Sequence, residues 1–223
     1  MADTALVLFA KEPRPGAVKT RLTPPLTPNQ ASELSQCFLA DTVDYLRPLQ
    51  NIDRIIAYDP PEAASYFTTL AGDDFSLLVQ PAGDLGARLT MVFSTMHARG
   101  YTHSLAIGSD APTLPVEHIV QAVDLLHNEQ QEVVIGPSTD GGYYLIGMRG
   151  LYPAVFQNID WSTERVCGDT LRQAERSKLS VGMLPPWYDV DTIESLEQLR
   201  EDLEASAVGM TVPRHTRRFL QQF

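Results

Sequence analysis

Short apolar runs alternate with amphipathic segments along this chain, and this alternation restricts its fold more than any other feature. The runs suit strands that are covered on both faces, and the segments between them carry apolar residues at helical spacing. Strands that alternate with helices predict a three-layer αβα fold around a mostly parallel sheet. The apolar runs begin at Thr4, Ile52, Phe75, Leu105, Val133, Tyr143 and Val181.

The composition is that of an ordinary globular protein and predicts a single main domain. Of the 223 residues, 43% are hydrophobic and 20% are charged, and no linker-like change of composition divides them. We therefore predict one domain over residues 1–205, with residues 206–223 as an appended segment. No apolar run approaches membrane-spanning length, and the N-terminus lacks the basic region of a signal peptide. We expect a cytoplasmic protein without a membrane partner.

The net charge of the chain limits the kinds of ligand that it is expected to bind. The formal net charge is −11, which argues against non-specific nucleic-acid binding and against attachment to an anionic membrane surface. A ligand that carries phosphate must then be attracted by a local basic cluster or by a metal ion. Cys37 and Cys167 lie far apart without metal-ligand spacing, so we expect two reduced thiols.

A basic loop follows the first predicted strand. It concentrates four cations within eleven residues, together with several prolines, and these cations are Lys11, Arg14, Lys19 and Arg21. A loop in this position is well placed to hold phosphates through side chains and backbone N–H groups. Its spacing matches neither a P-loop nor a dinucleotide fingerprint. The alternative is a solvated loop whose cations pair with surface acids, and we favour phosphate binding.

One carboxylate, Asp110, follows the apolar run Leu105-Ala-Ile107. Prolines at positions 112 and 115 prevent this strand from continuing. The carboxyl ends of strands in an open α/β sheet are where ligands bind, and a carboxylate there can hold Mg²⁺ or Mn²⁺ together with substrate phosphates. The competing interpretation is a turn aspartate that bonds to its own backbone before the proline.

A second metal carboxylate is available in Tyr188-Asp-Val-Asp-Thr192, as either Asp189 or Asp191. Asp191 has Glu194 three residues later, which is the spacing of a capping box at the start of the last helix. One carboxylate cannot fully cap a helix and bind a metal at once. Asp191 is therefore predicted either as a ligand or as a helix cap.

Two further loops have residues suited to a binding pocket. In the first, Gly86 would let a flat ring approach the backbone, and the Gln80 amide suits the edge of a nucleotide base. The same loop serves equally well as the start of an amphipathic helix with Asp84 as its cap and Leu85 on its apolar face, and taken alone we favour that interpretation. This loop and the helix that follows it lie within residues 80–96.

The second of these loops lies within residues 136–147 and is rich in glycine. Asp140 in this loop could bond sugar hydroxyls or act as a base. Gly141 and Gly142 could instead form a tight turn between strands, and we predict one of the two following tyrosines in the core and the other at the surface. Trp161 is predicted either to line a pocket or to pack inside.

Together these segments resemble the nucleotide-diphospho-sugar transferase superfamily, which has a Rossmann-like glycosyltransferase type A fold. More narrowly, the chain resembles a bacterial family of arsenosugar-biosynthesis-type glycosyltransferases. The first matching segment is also similar to that of 2-phospholactate guanylyltransferases, which are nucleotidyltransferases of the same fold. The matching segments keep the expected order and cover residues 9–22, 83–88, 107–112, 136–147 and 189–192.

The resemblance implies roles for particular residues of this sequence. It implies that the cations Lys11, Lys19 and Arg21 face the nucleotide phosphates, and that Asp110 and Asp191 hold a divalent metal. On the nucleotide side it places Gln80, Gly86 and Arg88, and on the second-substrate side it places Asp140, Gly141, Gly142 and Trp161. Many type A glycosyltransferases carry an Asp-x-Asp motif, whereas position 108 here is glycine and Asp110 stands alone. In this respect the predicted site is more similar to that of the nucleotidyltransferases.

Three functions are therefore predicted for this chain. The first is a metal-dependent glycosyltransferase with a nucleotide-sugar donor and a small-molecule acceptor. In this reaction Asp140 is the candidate base, and Lys19 helps to stabilise the departing nucleoside diphosphate. The second is a nucleotidyltransferase that joins a nucleoside triphosphate to a phosphorylated small molecule. Its nucleophile is already ionised, so it needs no base. The third is a nucleotide-binding protein without turnover, in which the lone Asp110 is what remains of a metal site.

Overall fold

The computed structural model describes residues 2–128, 131–205 and 211–222, and these fold into one seven-stranded sheet with helices on both faces. The strands are Thr4–Lys11 (β1), Asp53–Asp59 (β2), Ser76–Val79 (β3), His103–Ile107 (β4), Val133–Pro137 (β5), Tyr143–Arg149 (β6) and Val181–Met183 (β7). The helices are Pro28–Leu46 (α1), Ala64–Ala71 (α2), Leu85–Ala98 (α3), Val116–His127 (α4), Val166–Arg176 (α5), Ile193–Ala205 (α6) and Arg214–Leu220 (α7).

The strand order in the sheet is β3-β2-β1-β4-β6-β5-β7. β1 is parallel to both β2 and β4, and β5 is parallel to β7. β6 is antiparallel to both of its neighbours, β4 and β5, because the chain reverses through a short turn after β5 and returns beside it. The predicted three-layer αβα fold with a mostly parallel sheet is therefore confirmed.

The two faces of the sheet are covered by different helices. Along β1, Leu6 and Leu8 point to one face, where they pack in a core cluster with residues of α1, α2 and α4. Ala5 and Val7 point to the other face and pack with Val92 of α3. Side chains alternate between the faces of a strand, so a strand with apolar residues at every position needs a helical layer on each side.

Helix starts follow the predicted capping residues where those residues are close in sequence. Thr27 forms a capping box with Gln30 at the start of α1. Asp84 accepts a hydrogen bond of 2.8 Å from the Ala87 N–H at the start of α3. The helix predicted from about residue 163 begins at Val166 instead, because the chain before it adopts a left-handed conformation at Ser162.

The C-terminal segment carries a further helix, α7, that packs against α1. The buried carboxylate of Asp41 in α1 accepts hydrogen bonds of 2.8 Å from the N–H groups of His215 and Thr216. Phe219 joins Leu34 and Phe38 of α1 in a second core cluster. Residues 206–210, which connect α6 to α7, lie outside the described residues, and the division at residue 205 stays a prediction. None of the helices in the described ranges has the length and apolarity that a membrane crossing requires.

Candidate functional site

The candidate site lies at the carboxyl end of the parallel strands, where the loops after β1 and β4 meet the segment that precedes α6. Backbone hydrogen bonds bring these segments together. The Trp187 N–H donates to the Pro137 carbonyl at 3.0 Å, and the Val190 N–H donates to the Asp110 carbonyl at 2.8 Å. Because Val190 lies between Asp189 and Asp191, the second bond places both carboxylates beside the end of β4.

Lys19 is at the centre of this site. Its ammonium nitrogen lies 2.5 Å from Asp110 Oδ1 and 2.7 Å from Asp191 Oδ1. The Lys19 side chain is only 4% exposed, whereas the two carboxylates are 44% and 43% exposed. The ammonium also lies 5.2 Å from the centre of the Phe38 ring, which is within the range of a cation–π contact.

The protonation state of Lys19 follows from its surroundings. Burial alone would lower its pKa, but the nearby charges of Asp110 and Asp191 and their hydrogen bonds to the ammonium outweigh that effect, so the pKa of Lys19 is raised. Lys19 is therefore an ammonium at neutral pH. This fixes one positive charge between the two carboxylates that the sequence predicted as metal ligands.

Asp191 does not act as the cap of α6. The Thr192 hydroxyl accepts a hydrogen bond of 3.3 Å from the Ser195 N–H, and the Ser195 hydroxyl accepts bonds of 3.0 Å from the N–H groups of Asp191 and Thr192. These two hydroxyls cap the helix between them. The capping interpretation of Asp191 is therefore wrong, and its carboxylate is free to face Lys19. Asp110 likewise points at Lys19 rather than at its own turn.

Asp189 is a half-buried carboxylate that lines the second cavity. Its removal from solvent raises the pKa of Asp189 to about 7, with smaller contributions from the negative charges of Asp110, Asp191 and Asp140. The sequence named Asp189 as an alternative metal ligand but did not predict that its pKa is raised.

Replacing Asp189 with asparagine is expected to stabilise the fold more at pH 8 than at pH 5 in the presence of EDTA. The folded protein raises the pKa of Asp189 from 3.8 to about 7, so it binds the proton more tightly than the unfolded chain does. Stability therefore falls as the pH rises from about 4 to about 7, and asparagine removes that loss. Urea unfolding at both pH values measures the effect, with Asp124→Asn on the exposed face of α4 as the control. Equal changes for both variants would contradict it.

Two cavities open on either side of Lys19. The first has a volume of about 510 Å³ and is lined by the basic loop, the loop before α3 and the end of β4. The second has a volume of about 550 Å³ and is lined by the turn after β5, the segment before α5 and the segment before α6. Lys19, Leu85 and Asp191 line both cavities. Two adjoining cavities with a shared charged wall suit a reaction between two substrates.

The structure divides the predicted phosphate-binding cations between the two cavities. Lys11 and Arg88 line the first cavity, Arg21 lines the second, and Lys19 lines both. Lys11 donates a hydrogen bond of 3.1 Å to the Ala17 carbonyl of its own loop. Arg14, at the start of that loop, instead forms an ion pair with Glu12. The resemblance placed Arg21 with the other cations, and the structure places it on the opposite side of Lys19.

Gln80 is engaged within the protein. Its amide nitrogen donates to the carbonyls of Ala10 and Ala57, at 3.2 and 2.7 Å, and its amide oxygen accepts from Arg88 at 2.9 Å. Both amide hydrogens are used, so the predicted donor to a nucleotide base is not available in this structure. Gln80 instead ties the ends of β1 and β2 to the loop and holds Arg88 at the first cavity, where Arg88 also lies 3.3 Å from Asp59.

Gly86 does accommodate a flat ring, but the ring belongs to Trp161. A Cβ atom at position 86 would lie 2.7 Å from the indole nitrogen of Trp161, which is too close for any side chain. Gly86 therefore faces Trp161 rather than a base. Trp161 in turn lines the second cavity, so both of its predicted roles, packing and pocket lining, apply.

The turn after β5 forms the floor of the second cavity. Asp140 accepts a hydrogen bond of 2.9 Å from the Gly142 N–H through Oδ1, which fixes the turn and leaves Oδ2 free of that bond. Gly141 has a φ of +91°, and a Cβ atom there would lie 2.1 Å from the Glu164 carbonyl oxygen. Of the two tyrosines that follow, Tyr144 is buried as predicted for one of them, whereas Tyr143 is half-buried and lines the second cavity, with its hydroxyl buried.

Sequence reasoning missed two residues that shape the cavities. Leu85 was predicted on the buried face of α3, but its side chain is 43% exposed and lines both cavities. Its position directly after the Asp84 cap was the available signal, because the first residue of a helix projects beyond the core that the helix covers. Glu164 lines the second cavity, and no pattern in the sequence distinguished it from other surface acids.

Comparisons with known proteins bear on the fold and the family. Residues 42–163 match a family described as uncharacterized protein conserved in bacteria (DUF2064). A crystal structure from Desulfovibrio desulfuricans G20, whose assignment as a nucleotide-diphospho-sugar transferase is provisional, is 31% identical with a TM-score of 0.89, and the match covers 100% of this chain and 98% of that chain. No curated protein matches the sequence significantly.

More distant structures share the fold. A cytidylyltransferase from Leptospira borgpetersenii serovar Hardjo-bovis (strain JB197) is 13% identical with a TM-score of 0.58, and the match covers 100% of this chain and 95% of that chain. A 4-diphosphocytidyl-2C-methyl-D-erythritol synthase from Anaerococcus prevotii DSM 20548 is 8% identical with a TM-score of 0.60, over 90% and 96% of the two chains. At these identities the likeness shows the fold alone. The predicted relationship to the nucleotide-diphospho-sugar transferases is confirmed.

Proposed function

We propose a metal-dependent glycosyltransferase activity for this chain, which belongs to the DUF2064 family of bacterial proteins. It transfers a sugar from a nucleotide-diphospho-sugar donor to a small-molecule acceptor. The observation that carries the proposal is the Lys19 ammonium, held between Asp110 and Asp191 in the wall shared by two cavities. The 31% identical structure from Desulfovibrio supports a transferase that uses a nucleotide.

The donor nucleotide binds in the first cavity in this proposal. Lys11, Lys19 and Arg88 supply positive charge there, and a chain with a net charge of −11 offers few other places for a diphosphate. Lys19 has a second role at the cavity junction. Its ammonium stabilises the negative charge that develops on the departing diphosphate, and a fixed charge of this kind costs no reorganisation during the reaction.

The acceptor binds in the second cavity. Asp140 and Glu164 line this cavity together with Trp161. Carboxylates accept hydrogen bonds from hydroxyl groups, and an aromatic ring packs on the apolar face of a ring-shaped ligand. If the reaction inverts the anomeric centre, Asp140 takes the proton from the attacking acceptor hydroxyl.

The residues at the junction fit a hard divalent cation. Asp110 and Asp191 each direct one oxygen at the Lys19 ammonium, and Asp189 adds a third carboxyl at the second cavity. Oxygen ligands from one or two carboxylates, together with substrate phosphates, are the usual coordination of Mg²⁺. Asp110 and Asp191 would hold Mg²⁺ or Mn²⁺, which would neutralise charge on the diphosphate. The Lys19 ammonium contacts the same two carboxylates that would bind the metal.

Nucleotidyl transfer is the second candidate, and Arg21 is the observation that favours it. Arg21 lines the second cavity, and in the described parts of the chain its guanidinium has no ion-pair or hydrogen-bond partner. A phosphorylated second substrate would supply one. The single aspartate at the end of β4, with glycine at position 108, points the same way. In that reaction Asp140 would position the substrate and would not need to remove a proton.

Binding of Mg²⁺ or Mn²⁺ with a panel of nucleotide sugars and nucleoside triphosphates tests both candidates. A ligand at one hundred times its Kd adds about 2.7 kcal/mol of stability, and each kcal/mol raises the Tm of a chain of this length by roughly 2–4 °C. We expect one nucleotide sugar to raise the Tm more than its triphosphate does, and only with the metal. Asp110→Asn should remove the metal-dependent part, whereas Asp124→Asn should keep it.

Product analysis then separates the two reactions. Release of nucleoside diphosphate from the active nucleotide sugar supports glycosyl transfer. A larger shift with a triphosphate, and release of pyrophosphate when a phosphorylated acceptor is added, would replace the first candidate by the second. If no nucleotide changes the Tm in the presence of either metal, both candidates are wrong.

A further inference from the structure

A group of side chains that could bind a metal lies at the amino end of the central strands, opposite the candidate active site at their carboxyl end. Asp3 precedes β1, His103 is the first residue of β4, and His127 is the last residue of α4. The N–H groups of Thr102 and His103 donate to the Asp3 carbonyl at 3.0 and 3.1 Å, which holds the starts of β1 and β4 together. Three elements that are distant in sequence therefore meet at this point.

We propose that Asp3, His103 and His127 form a binding site for Zn²⁺ or a similar transition metal. Asp3 Oδ1 lies 3.5 Å from His127 Nε2, and Asp3 Oδ2 lies 3.8 Å from His103 Nδ1. One ligand atom from each residue lies within 4.8 Å of the other two. The edge of a zinc tetrahedron with ligand distances of 2.0–2.1 Å is about 3.3 Å. Small side-chain adjustments thus bring the three ligands onto one ion.

Two threonine hydroxyl groups contact these ligands, and one of them orients the Asp3 carboxylate. The buried Thr4 hydroxyl donates a hydrogen bond of 3.0 Å to Asp3 Oδ1 and lies 2.7 Å from His127 Nε2. The Thr102 hydroxyl lies 3.0 Å from His103 Nδ1, and an ion bound at Nδ1 would replace this hydrogen bond. Because the Thr4 hydroxyl donates its one hydrogen to Asp3 Oδ1, His127 Nε2 is the donor in the contact with Thr4. An ion can bind Nε2 once the imidazole proton is on Nδ1 instead, and the Thr4 bond to Asp3 then persists. Hydrogen bonds of this kind fix the orientation of ligating carboxylates and raise metal affinity.

The chemistry of the donors selects the metal. Two imidazoles and one carboxylate suit zinc and its neighbours in the first transition series, whereas Mg²⁺ prefers oxygen ligands alone. The all-carboxylate group at Asp110 and Asp191 has the opposite preference. The two sites lie near opposite ends of β4, which spans about 13 Å, so we assign them different ions. With three protein ligands, the fourth position of the zinc site is open to water.

Zinc titration of the full chain, stripped of metal with EDTA, tests the site. We expect one Zn²⁺ per chain to bind at this site, measured by competition with a chromophoric chelator, and a rise in the Tm. His127→Ala should weaken the binding at least about 100-fold, because even the loss of a group that only orients a ligand costs 10–100-fold. His97→Ala, an exposed histidine in the last turn of α3, is the matched control and should leave the affinity unchanged.

A second set of variants separates this site from the candidate active site. Asp110→Asn should leave the affinity for one Zn²⁺ unchanged, and Co²⁺ in place of zinc should give the absorption of a tetrahedral site with nitrogen ligands, which His127→Ala removes. Asp3→Asn changes a largely exposed carboxylate and provides the same test if His127→Ala fails to fold. The proposal is overturned if the chain binds no Zn²⁺, if both His127→Ala and Asp3→Asn keep the wild-type affinity, or if Asp110→Asn abolishes the binding.

Discussion

Replacing Lys19 with methionine is expected to lower kcat/KM by about 10²–10³-fold, the loss that follows removal of one group that stabilises transition-state charge. The Lys19 ammonium contacts both Asp110 and Asp191, and it lines both cavities. Methionine fills similar space but carries no charge, so it leaves the two carboxylates to repel each other and an incoming diphosphate. Steady-state kinetics with the nucleotide substrate found in the binding panel measures the effect.

Lys178→Met is the matched control for this experiment. Lys178 also has a left-handed backbone, with a φ of 57° against 48° for Lys19, but it is exposed at the end of α5 and lies outside both cavities. The control should keep the wild-type kcat/KM. If Lys19→Met folds and retains more than about one third of wild-type kcat/KM, Lys19 is only a structural ion-pair partner and its proposed role in charge stabilisation is wrong.

Replacing Gly141 with alanine is expected to destabilise the fold by about 2–5 kcal/mol. The φ of +91° at Gly141 is unfavourable for any residue with a Cβ atom, and that atom would lie 2.1 Å from the Glu164 carbonyl oxygen. The left-handed backbone costs about 1–2 kcal/mol and the forced displacement about 1–3 kcal/mol. A loss of this size lowers the Tm by roughly 4–20 °C, which differential scanning calorimetry measures.

Gly100→Ala separates the two contributions. Gly100 has a φ of +93°, close to that of Gly141, but nothing lies within 4 Å of a Cβ atom placed there. This control therefore reports the backbone cost alone and should lower the Tm by less. Equal losses in the two variants would mean that the chain at Glu164 moves aside easily. The second cavity should also change only in Gly141→Ala, because Glu164 lines that cavity.

The fold was largely predictable because its signals are local. Apolar runs at the strands, helical spacing between them and the caps at Thr27 and Asp84 all depend on residues within a few positions of one another. The errors also have local causes. The sequence around residue 163 favours a helix, but Ser162 has a left-handed backbone and the helix begins only at Val166. Leu85 has the right spacing to be buried but lies at the open end of its helix.

The candidate site was predictable as a set of residues but not as an arrangement. Asp110, Asp191 and Lys19 were all named from the sequence, and the structure brings them into direct contact. Roles that depend on hydrogen-bond partners were not predictable. The Gln80 amide donates to two backbone carbonyls and accepts from Arg88, so it is not available to a base. The ring that packs against Gly86 is that of Trp161.

The sequence by itself determined the order of strands and helices, the loops that carry polar residues, and the edge of the sheet at which those loops lie. These properties are periodic or local, so neighbouring residues suffice to encode them. Only the tertiary structure decided that Lys19 pairs with carboxylates 91 and 172 residues away, that Arg21 faces the second cavity, and that the pKa of Asp189 is raised. Partner choice and burial depend on which distant segments pack together, and packing sets the charge, the pKa and the free hydrogen-bonding groups of a site.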